Sequence, residues 1–352
     1  MGRGGAETMI MNYYRALNRD EFQFDFLVHR KERAEYDDEI ESMGGNIFRT
    51  MPIRPGNYIK YFHFLDNFFK EHAKDYVAVH CHIQENSGFI AKYAAKYGIK
   101  NRLCTSHIAD LGIDYKFPFR LFGKCVGHNY ITHRLACGQR AGKYMYGKKS
   151  FIIFPNAIDT QRFIFNKDEY NKFRKQKGWE NDFVIGNVSR FYKQKNHTFI
   201  IDIFYELKKI KPNSRLVLVG DGLLLTEIKE KVHSLHLEDS VCFEGSQSDV
   251  PKYLKTMDVL LFPSLFEGLP VSIIEAQASG LKCFLSDTID RDVDVTGDII
   301  FTSLDKTAKD WAQVILQNSK YERRNNYNKI VTAGYDVFTN VNKLLSLYTQ
   351  NI

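Results

Sequence analysis

The sequence predicts an α/β fold with two doubly wound parallel sheets, one in each half of a 352-residue chain. Three observations carry this. Short apolar runs alternate with segments of helical spacing; the alternation restarts after SFIIFPNAID, residues 150 to 159; and the expected strands end in polar, charged or glycine-rich stretches. In such sheets ligands bind beyond the carboxyl ends of the strands. Gly4 and Gly5, His107, Ser189 and Arg190, Gly220 to Gly222, and Ser264 to Gly268 therefore mark where chemistry is to be sought.

The chain opens on MGRGGAETMIMNYYRALN, a glycine-rich turn running into an amphipathic helix. Such a turn normally follows a buried strand that aims backbone amides at a ligand phosphate, and here only Met1 precedes it. Five or six missing buried side chains, at roughly 1.5 to 3 kcal/mol each, amount to about 10 kcal/mol. That rivals the whole stability of about 5 to 15 kcal/mol of a typical domain. The expectation is that the first strand of the N-terminal domain is missing from the sequence as written, with Met1 an internal methionine and about ten apolar-rich residues upstream.

In the first half, FQFDFLV (22 to 28), YVAVHCHI (76 to 83) and NRLCTSHI (101 to 108) read as strands, being rich in β-branched and aromatic residues. AEYDDEIESMG, YIKYFHFLDNFFKEHAK and SGFIAKYAAKYG between them have helical spacing. In the second half DFVIGNVSR (182 to 190), SRLVLVGDG (214 to 222), SVCFEGS (240 to 246), DVLLFPS (258 to 264) and KCFLSD (282 to 287) are short buried-strand candidates. In NHTFIIDIFYELKKIK, the residues Ile200, Ile203, Phe204, Leu207 and Ile210 share one helical face.

Composition narrows the class. Hydrophobic content of 44% and charge of 26% describe a globular chain. The six cysteines are scattered, with no C-x-x-C pair, and read as reduced thiols of a cytoplasmic protein. No apolar run approaches the roughly 20 residues of a membrane span. The net charge of +7 lies wholly in residues 1 to 150, where 23 Lys and Arg face 16 Asp and Glu, whereas residues 151 to 352 hold 26 of each. A basic half fits either a solvated face or an anionic partner: a membrane surface, a phosphorylated acceptor or a nucleic acid. The aromatic and basic residues form no base-stacking module, which ranks nucleic acid last.

The sharpest motif is PSLFEGLPVSIIEAQASG (263 to 280). Pro270 suits the first turn of a helix and Gly280 its end, placing Glu267 in the entry loop and Glu275 within the first two turns. The amides of Gly268, Leu269 and Val271 would then point out of a helix N-terminus, where an anion is stabilised. A carboxylate beside such a site makes sense if it binds sugar hydroxyls while the amides hold phosphate. The second motif is NVSRFYKQKNH (187 to 197). Its Arg190 and Lys195 can converge on a diphosphate and offset the charge of a leaving group, with Lys193 competing for the role of Lys195 on spacing alone.

At these residues the chain resembles glycosyltransferase family 4. EGLPVSIIEA matches its Glu-x7-Glu signature, VSRFYKQKN its diphosphate loop, LVGDGLL its nucleotide loop, FPNAIDTQRF its interdomain crossing and RGGAE its N-terminal glycine loop. The likeness, strongest to bacterial enzymes that build exopolysaccharide or capsule, runs in order along nearly the whole chain. It implies a GT-B architecture of two Rossmann-like domains facing across a cleft. These would be an acceptor-side domain over 1–158, a nucleotide-sugar domain over 159–330 and a C-terminal helix over 331–352 returning to the first. It also implies metal-independent, retaining hexosyl transfer from a nucleotide-diphosphate sugar, UDP by family frequency, to a saccharide or lipid-linked acceptor. The nucleotide sugar is a substrate, so no cofactor is expected.

Carried over by position, Arg190 and Lys195 hold the diphosphate, Glu267 contacts the donor sugar and Glu275 the ribose. Gly220, Asp221, Gly222 and the backbone around Phe243 border the base, and Gly268, Leu269, Pro270 and Val271 line the donor site. His107 lies beside the transferred sugar, and Gly4 and Gly5 supply phosphate-side or acceptor-side backbone. Ala157 stands where the family usually has glycine, an expected slight stiffening of the crossing.

Three features stand outside this set. In HCH (80 to 82) alternation sends His80 and His82 to one face, with too few neighbours in sequence to complete a metal site. DRDVDVTGD (290 to 298) carries Asp-x-Asp spacings like those of metal-dependent transferases, but at the place of a variable surface loop. The aromatic stripe of YIKYFHFLDNFFKEH (58 to 72), with KFPFRLFGK (116 to 124), reads either as a core helix or as a rest for the inner face of an anionic membrane. The competing functional readings are a truncated, non-catalytic binding subunit of a polysaccharide assembly complex and a phosphorylase of related architecture.

Overall fold

The computed structural model describes residues 1–2, 4–108 and 116–350. The chain divides into two compact units, Met1–Ala157 with Asp336–Ile352, and Ile158–Tyr335. Residues 331–335 stay with the second unit, where the Ile158 amide donates to the Tyr335 carbonyl at 2.8 Å.

In the first unit the strands are β1 (Phe26–Val28), β2 (Ile47–Arg49), β3 (Ala78–Cys81), β4 (Asn101–Ser106), β5 (His133–Ala136) and β6 (Ile152–Ile153), all in parallel pairings. They form two pieces: β1 pairs β2, and β3-β4-β5-β6 make a second sheet. Among the described residues β1 pairs with β2 alone and β3 with β4 alone. The strand expected over residues 22–28 is only Phe26–Val28, because the Asp25 carboxylate, rather than a ladder, ties this segment to the Asn46 amide and the Tyr76 hydroxyl, each at 2.8 Å. The strands Ile47–Arg49 and His133–Ala136 escaped sequence reading; each is very short and carries a basic residue. The helix Val337–Thr349 buries Val337, Val341, Leu344 and Tyr348, a 3.6-residue stripe, in one cluster with Met11, Tyr13, Tyr14 and Phe26.

The aromatic helix Tyr58–His72 is a core helix in this unit. Tyr61, Leu65 and Phe69 are buried, and the flanking rings find partners on several elements: Phe68 against Phe48, Phe62 against Phe89 and Tyr93, and Tyr58 against Phe119. The stripe is wide because three neighbours cover it. Ile59 alone among its large apolar side chains stands out, 75% exposed.

The second unit has β7 (Phe183–Val188), β8 (Ser214–Val219), β9 (Val241–Gly245), β10 (Val259–Phe262), β11 (Lys282–Ser286) and β12 (Ile299–Thr302), parallel in the order β12-β11-β10-β7-β8-β9. Apolar clusters cover both faces, which explains near-continuous apolar strands such as Leu216–Val219 and Val259–Phe262. The helix His197–Ile210 buries Ile200, Ile201, Ile203, Phe204 and Leu207. Ile210, expected on that face, is 52% exposed because it is the last helical residue. The chain winds outward from β7 through β8 to β9, then returns to the other side of β7 at β10. The loops after β7 and β10 thus leave the sheet side by side at its topological switch point, where a ligand crevice forms.

Candidate functional site

The loop after β7 is tied to two neighbours. Buried Asn187 donates to the Leu261 carbonyl of β10 at 2.9 Å and accepts from the Ser189 hydroxyl at 2.6 Å. The Phe191 amide then donates to the Asp221 carbonyl at 2.9 Å, and the Leu224 amide to the Phe191 carbonyl at 3.0 Å, clasping the Gly220–Gly222 turn. A Cβ on Gly220, at φ +144°, would lie 2.1 Å from the Ser189 carbonyl oxygen, and one on Gly222 2.7 Å from the Phe191 backbone, so this contact requires glycine. Beside it β9 is bulged: Phe243 faces Leu218 and Gly245 faces Val219, and the Gly220 amide donates to the Gly245 carbonyl at 2.8 Å. Phe243 packs near Phe191 with ring centroids 6.2 Å apart.

The other neighbour is the loop after β10. Lys195 Nζ meets Glu267 Oε1 at 2.6 Å, with both side chains largely buried. Gln194 Nε2 donates to Glu267 Oε2 at 3.1 Å and to the Phe266 carbonyl at 2.8 Å, while its own carbonyl accepts from the Leu265 amide at 2.8 Å. Asn196, in the left-handed region at φ +57°, donates through Nδ2 to the Pro263 carbonyl at 3.0 Å. Lys193 is exposed, so of the two lysines that spacing left in competition it is Lys195 that turns inward. Arg190 is exposed at the end of β7, its guanidinium 4.9 Å from the centre of the Tyr192 ring. Buried His197 stacks on Phe191 at 4.0 Å, and burial, aided by the charge of Lys195, pushes its imidazole down to about 4.

Pro270, expected in the first turn of the helix, is the residue immediately before the helix Val271–Ala278. Gly268 and Leu269 therefore lie in the entry loop, and the amides of Gly268, Leu269 and Val271 have no acceptor among the described residues. They remain available to an anion. Glu275, on the second turn, is half-buried, and its carboxylate makes no hydrogen bond among the described residues. Burial pushes it up to about 7, with the positive charge of Arg162 acting the other way.

In the first unit His107 follows β4. Its Nε2 pairs with His82 Nδ1 at 2.9 Å, and the His82 ring lies 4.1 Å from that of His80. His80 in turn bonds the Tyr348 hydroxyl and the Thr105 hydroxyl, each at 2.7 Å. HCH thus belongs to a row of imidazoles reaching from the C-terminal helix to His107. Burial pushes His107 down to about 4 and His80 to about 3, and holds His82 well below its ordinary value. Gly4 precedes the helix Gly5–Ala16 with extended backbone, and a Cβ on Gly5 would meet nothing within 4 Å. Their glycine character thus answers no backbone strain; Arg3 of the same motif lies outside the described residues.

In DRDVDVTGD the aspartates shape their own turns: Asp290 accepts from the Asp292 amide and Asp294 from the Gly297 amide. Fully buried Gln277 holds this loop, accepting from the Val295 and Thr296 amides and donating to the Val293 carbonyl. Sequence reading passed over Gln194, Asn196, Asn187 and His197. The available signal was Asn196, an Asn directly before a helix, which invites a cap; its side chain crosses to the Pro263 loop instead.

The profile of the family Glycosyl transferases group 1 matches residues 169–329. A Bacillus subtilis protein named as the glycosyltransferase EpsF is 36% identical over 362 residues, 99% of this chain and 94% of that protein. The chain belongs to the group 1 glycosyl transferases. The capsular polysaccharide biosynthesis glycosyltransferase CapH of Staphylococcus aureus is 31% identical to it over 289 residues, 78% of this chain and 76% of that one. In fold, this glycosyltransferase is similar to HepE of Anabaena, crystallised with UDP and glucose, at a TM-score of 0.74 and 18% identity over 99% of this chain and 96% of that one. Its two parallel-sheet units make a GT-B-like, two-domain α/β fold.

Proposed function

We propose that this glycosyltransferase is a family 4 enzyme that moves a hexosyl group, with retention and without a metal, from a UDP-sugar to a saccharide or lipid-linked acceptor in cell-surface polysaccharide biosynthesis. The observation that carries the reading is the Lys195–Glu267 pair at the switch point, beside the three unsatisfied amides of Gly268, Leu269 and Val271. A diphosphate there gains Arg190, Lys195 and the amides, fixed positive groups that offset the charge of the departing nucleoside diphosphate. Glu267 takes the hydroxyls of the donor sugar and Glu275 those of the ribose. Gly220, Asp221, Gly222 and the backbone at Phe243 border the base, with Pro270 shaping the entry loop. In the first unit His107 serves the transferred sugar, and Gly4 and Gly5 offer backbone to the phosphate or acceptor.

In the retaining step the acceptor oxygen bonds to the anomeric carbon on the face from which the diphosphate leaves. The bond from that carbon to the phosphate oxygen breaks with its electron pair on the oxygen, and this oxygen takes the acceptor proton. The polysaccharide context draws support from the name of CapH, and UDP from the UDP in the HepE crystal. The proposed place of action is the cytoplasm, and the basic charge of the first half is what supports contact with an anionic inner membrane face over a merely solvated surface. The test is release of UDP from a panel of UDP-hexoses by the purified chain, with saccharide and lipid-linked acceptors. Acceptor-dependent release supports the reading. Donor binding without turnover would support the binding-subunit reading instead, and turnover that required inorganic phosphate would make the protein a phosphorylase.

A further inference from the structure

Resting on the donor site proposed above, we infer that Gln194 is a positioning residue: it holds the Glu267 carboxylate in place when Lys195 turns to the donor diphosphate. Lys195 is a single charge on a flexible stem. In the structure that charge is spent on Glu267 Oε1 at 2.6 Å, so a diphosphate must compete with the carboxylate for it. Once Lys195 shifts, Glu267, only 6% exposed, loses the partner that made its burial tolerable. A buried carboxylate left without its partner is driven toward water, and that displacement spoils it as an acceptor for sugar hydroxyls.

The second partner is built for that moment. Gln194 grips the other oxygen, Oε2, and the same side-chain nitrogen holds the Phe266 carbonyl, while the Gln194 carbonyl takes the Leu265 amide. Three bonds thus fix one residue to three successive positions ending at Glu267. An amide has no net charge, so a diphosphate does not draw it away as it draws an ammonium. The two consecutive residues divide the work: the cation is free to leave, and the neutral donor stays. A carboxylate at position 194 would repel Glu267, and a shorter side chain would not span both acceptors.

The experiment measures affinities for UDP, UDP-glucose, UDP-galactose and UDP-N-acetylglucosamine by calorimetry on wild type, Gln194→Met and Gln194→Glu. Met keeps the volume without donors, so folding is checked by melting temperature and the comparison stays interpretable. The readout is the factor by which the sugar tightens binding over UDP alone, taken for the UDP-sugar that wild type binds best. Gln194→Met is expected to cut that factor about tenfold, the worth of a hydrogen bond to a charged group, and to change the UDP affinity less than about twofold. Gln194→Glu is expected to lose more. An unchanged factor, or an equal loss for UDP and UDP-sugar as a collapsed loop would produce, overturns the role of Gln194 while leaving the donor site standing. Wild type that binds none of the four compounds overturns the donor site itself.

Discussion

The strand ends of the two units deal with buried polarity in opposite ways. At the carboxyl ends of β7 and β10, in the second unit, it is an ion pair, Lys195 with Glu267. At the ends of β3 and β4, in the first, it is a row of three imidazoles that burial holds uncharged, although the same unit elsewhere pairs buried Asp37 with Arg49. The difference teaches what each surface can meet. A paired cation can exchange its carboxylate for phosphate oxygens, so the second unit is matched to a charged ligand. Neutral imidazoles can donate and accept at once, which suits hydroxyl groups.

The largest expected effect tests the charged side. Lys195→Ala or Glu267→Ala should lower transfer by about 100- to 1,000-fold with circular dichroism unchanged, the range for removing one preorganised group that stabilises transition-state charge. Near-normal turnover in both variants would remove the contrast. Next comes the neutral side. His107 stays neutral in the folded chain down to about 4, against an ordinary value of 6.5. Between these values the unfolded chain binds more protons, so stability falls as pH is lowered through that window, by on the order of 2–3 kcal/mol for such a group. Thermal melts from pH 4 to 8 should show this slope, weakened in His107→Gln.

Glu275 makes the opposite prediction within the charged unit. Its folded value of about 7 exceeds the ordinary 4.5, so here the unfolded chain loses its proton first and stability falls as pH rises from 4.5 to 7. Glu275→Gln should therefore raise stability above pH 7 by up to about 3 kcal/mol in the empty protein, while weakening donor affinity. A variant that neither stabilises nor weakens binding would mean that the carboxylate is hydrated and idle. The smallest effect concerns the aromatic helix: Ile59→Ser should change stability by less than about 0.5 kcal/mol, as at other exposed positions. Co-sedimentation with anionic vesicles that fell sharply in this variant would make the 75%-exposed side chain a membrane contact.

Legibility followed the same division. The switch-point loops were readable because their chemistry is local: a Pro before a helix, two carboxylates eight residues apart, two cations after a strand. So was the second sheet, whose strands are buried on both faces and therefore nearly continuous in apolar residues. Gln194 and Asn187 were not readable, because their partners lie more than 70 residues away and a lone amide carries no pattern. The imidazole row was half legible. Alternation put His80 and His82 on one face, but only the fold brings His107 and Tyr348 to either end of it. The wide aromatic stripe left two readings open for a related reason: periodicity reports how much of a helix is covered, not by how many neighbours.

Asn196 carries a last consequence, for the substitutions that its position can accept. Its backbone at φ +57° excludes β-branched residues outright and leaves Gly, Asn and Asp as the comfortable choices. Gly would keep the turn but drop the bond to the Pro263 carbonyl, and Asp would keep the conformation but set a carboxylate against that carbonyl. Among tolerated variants in a saturation library, Asn should stand first and Gly second. The narrowness of that spectrum would then report how tightly the basic loop is stitched to the loop of Glu267, with no ligand needed to read it.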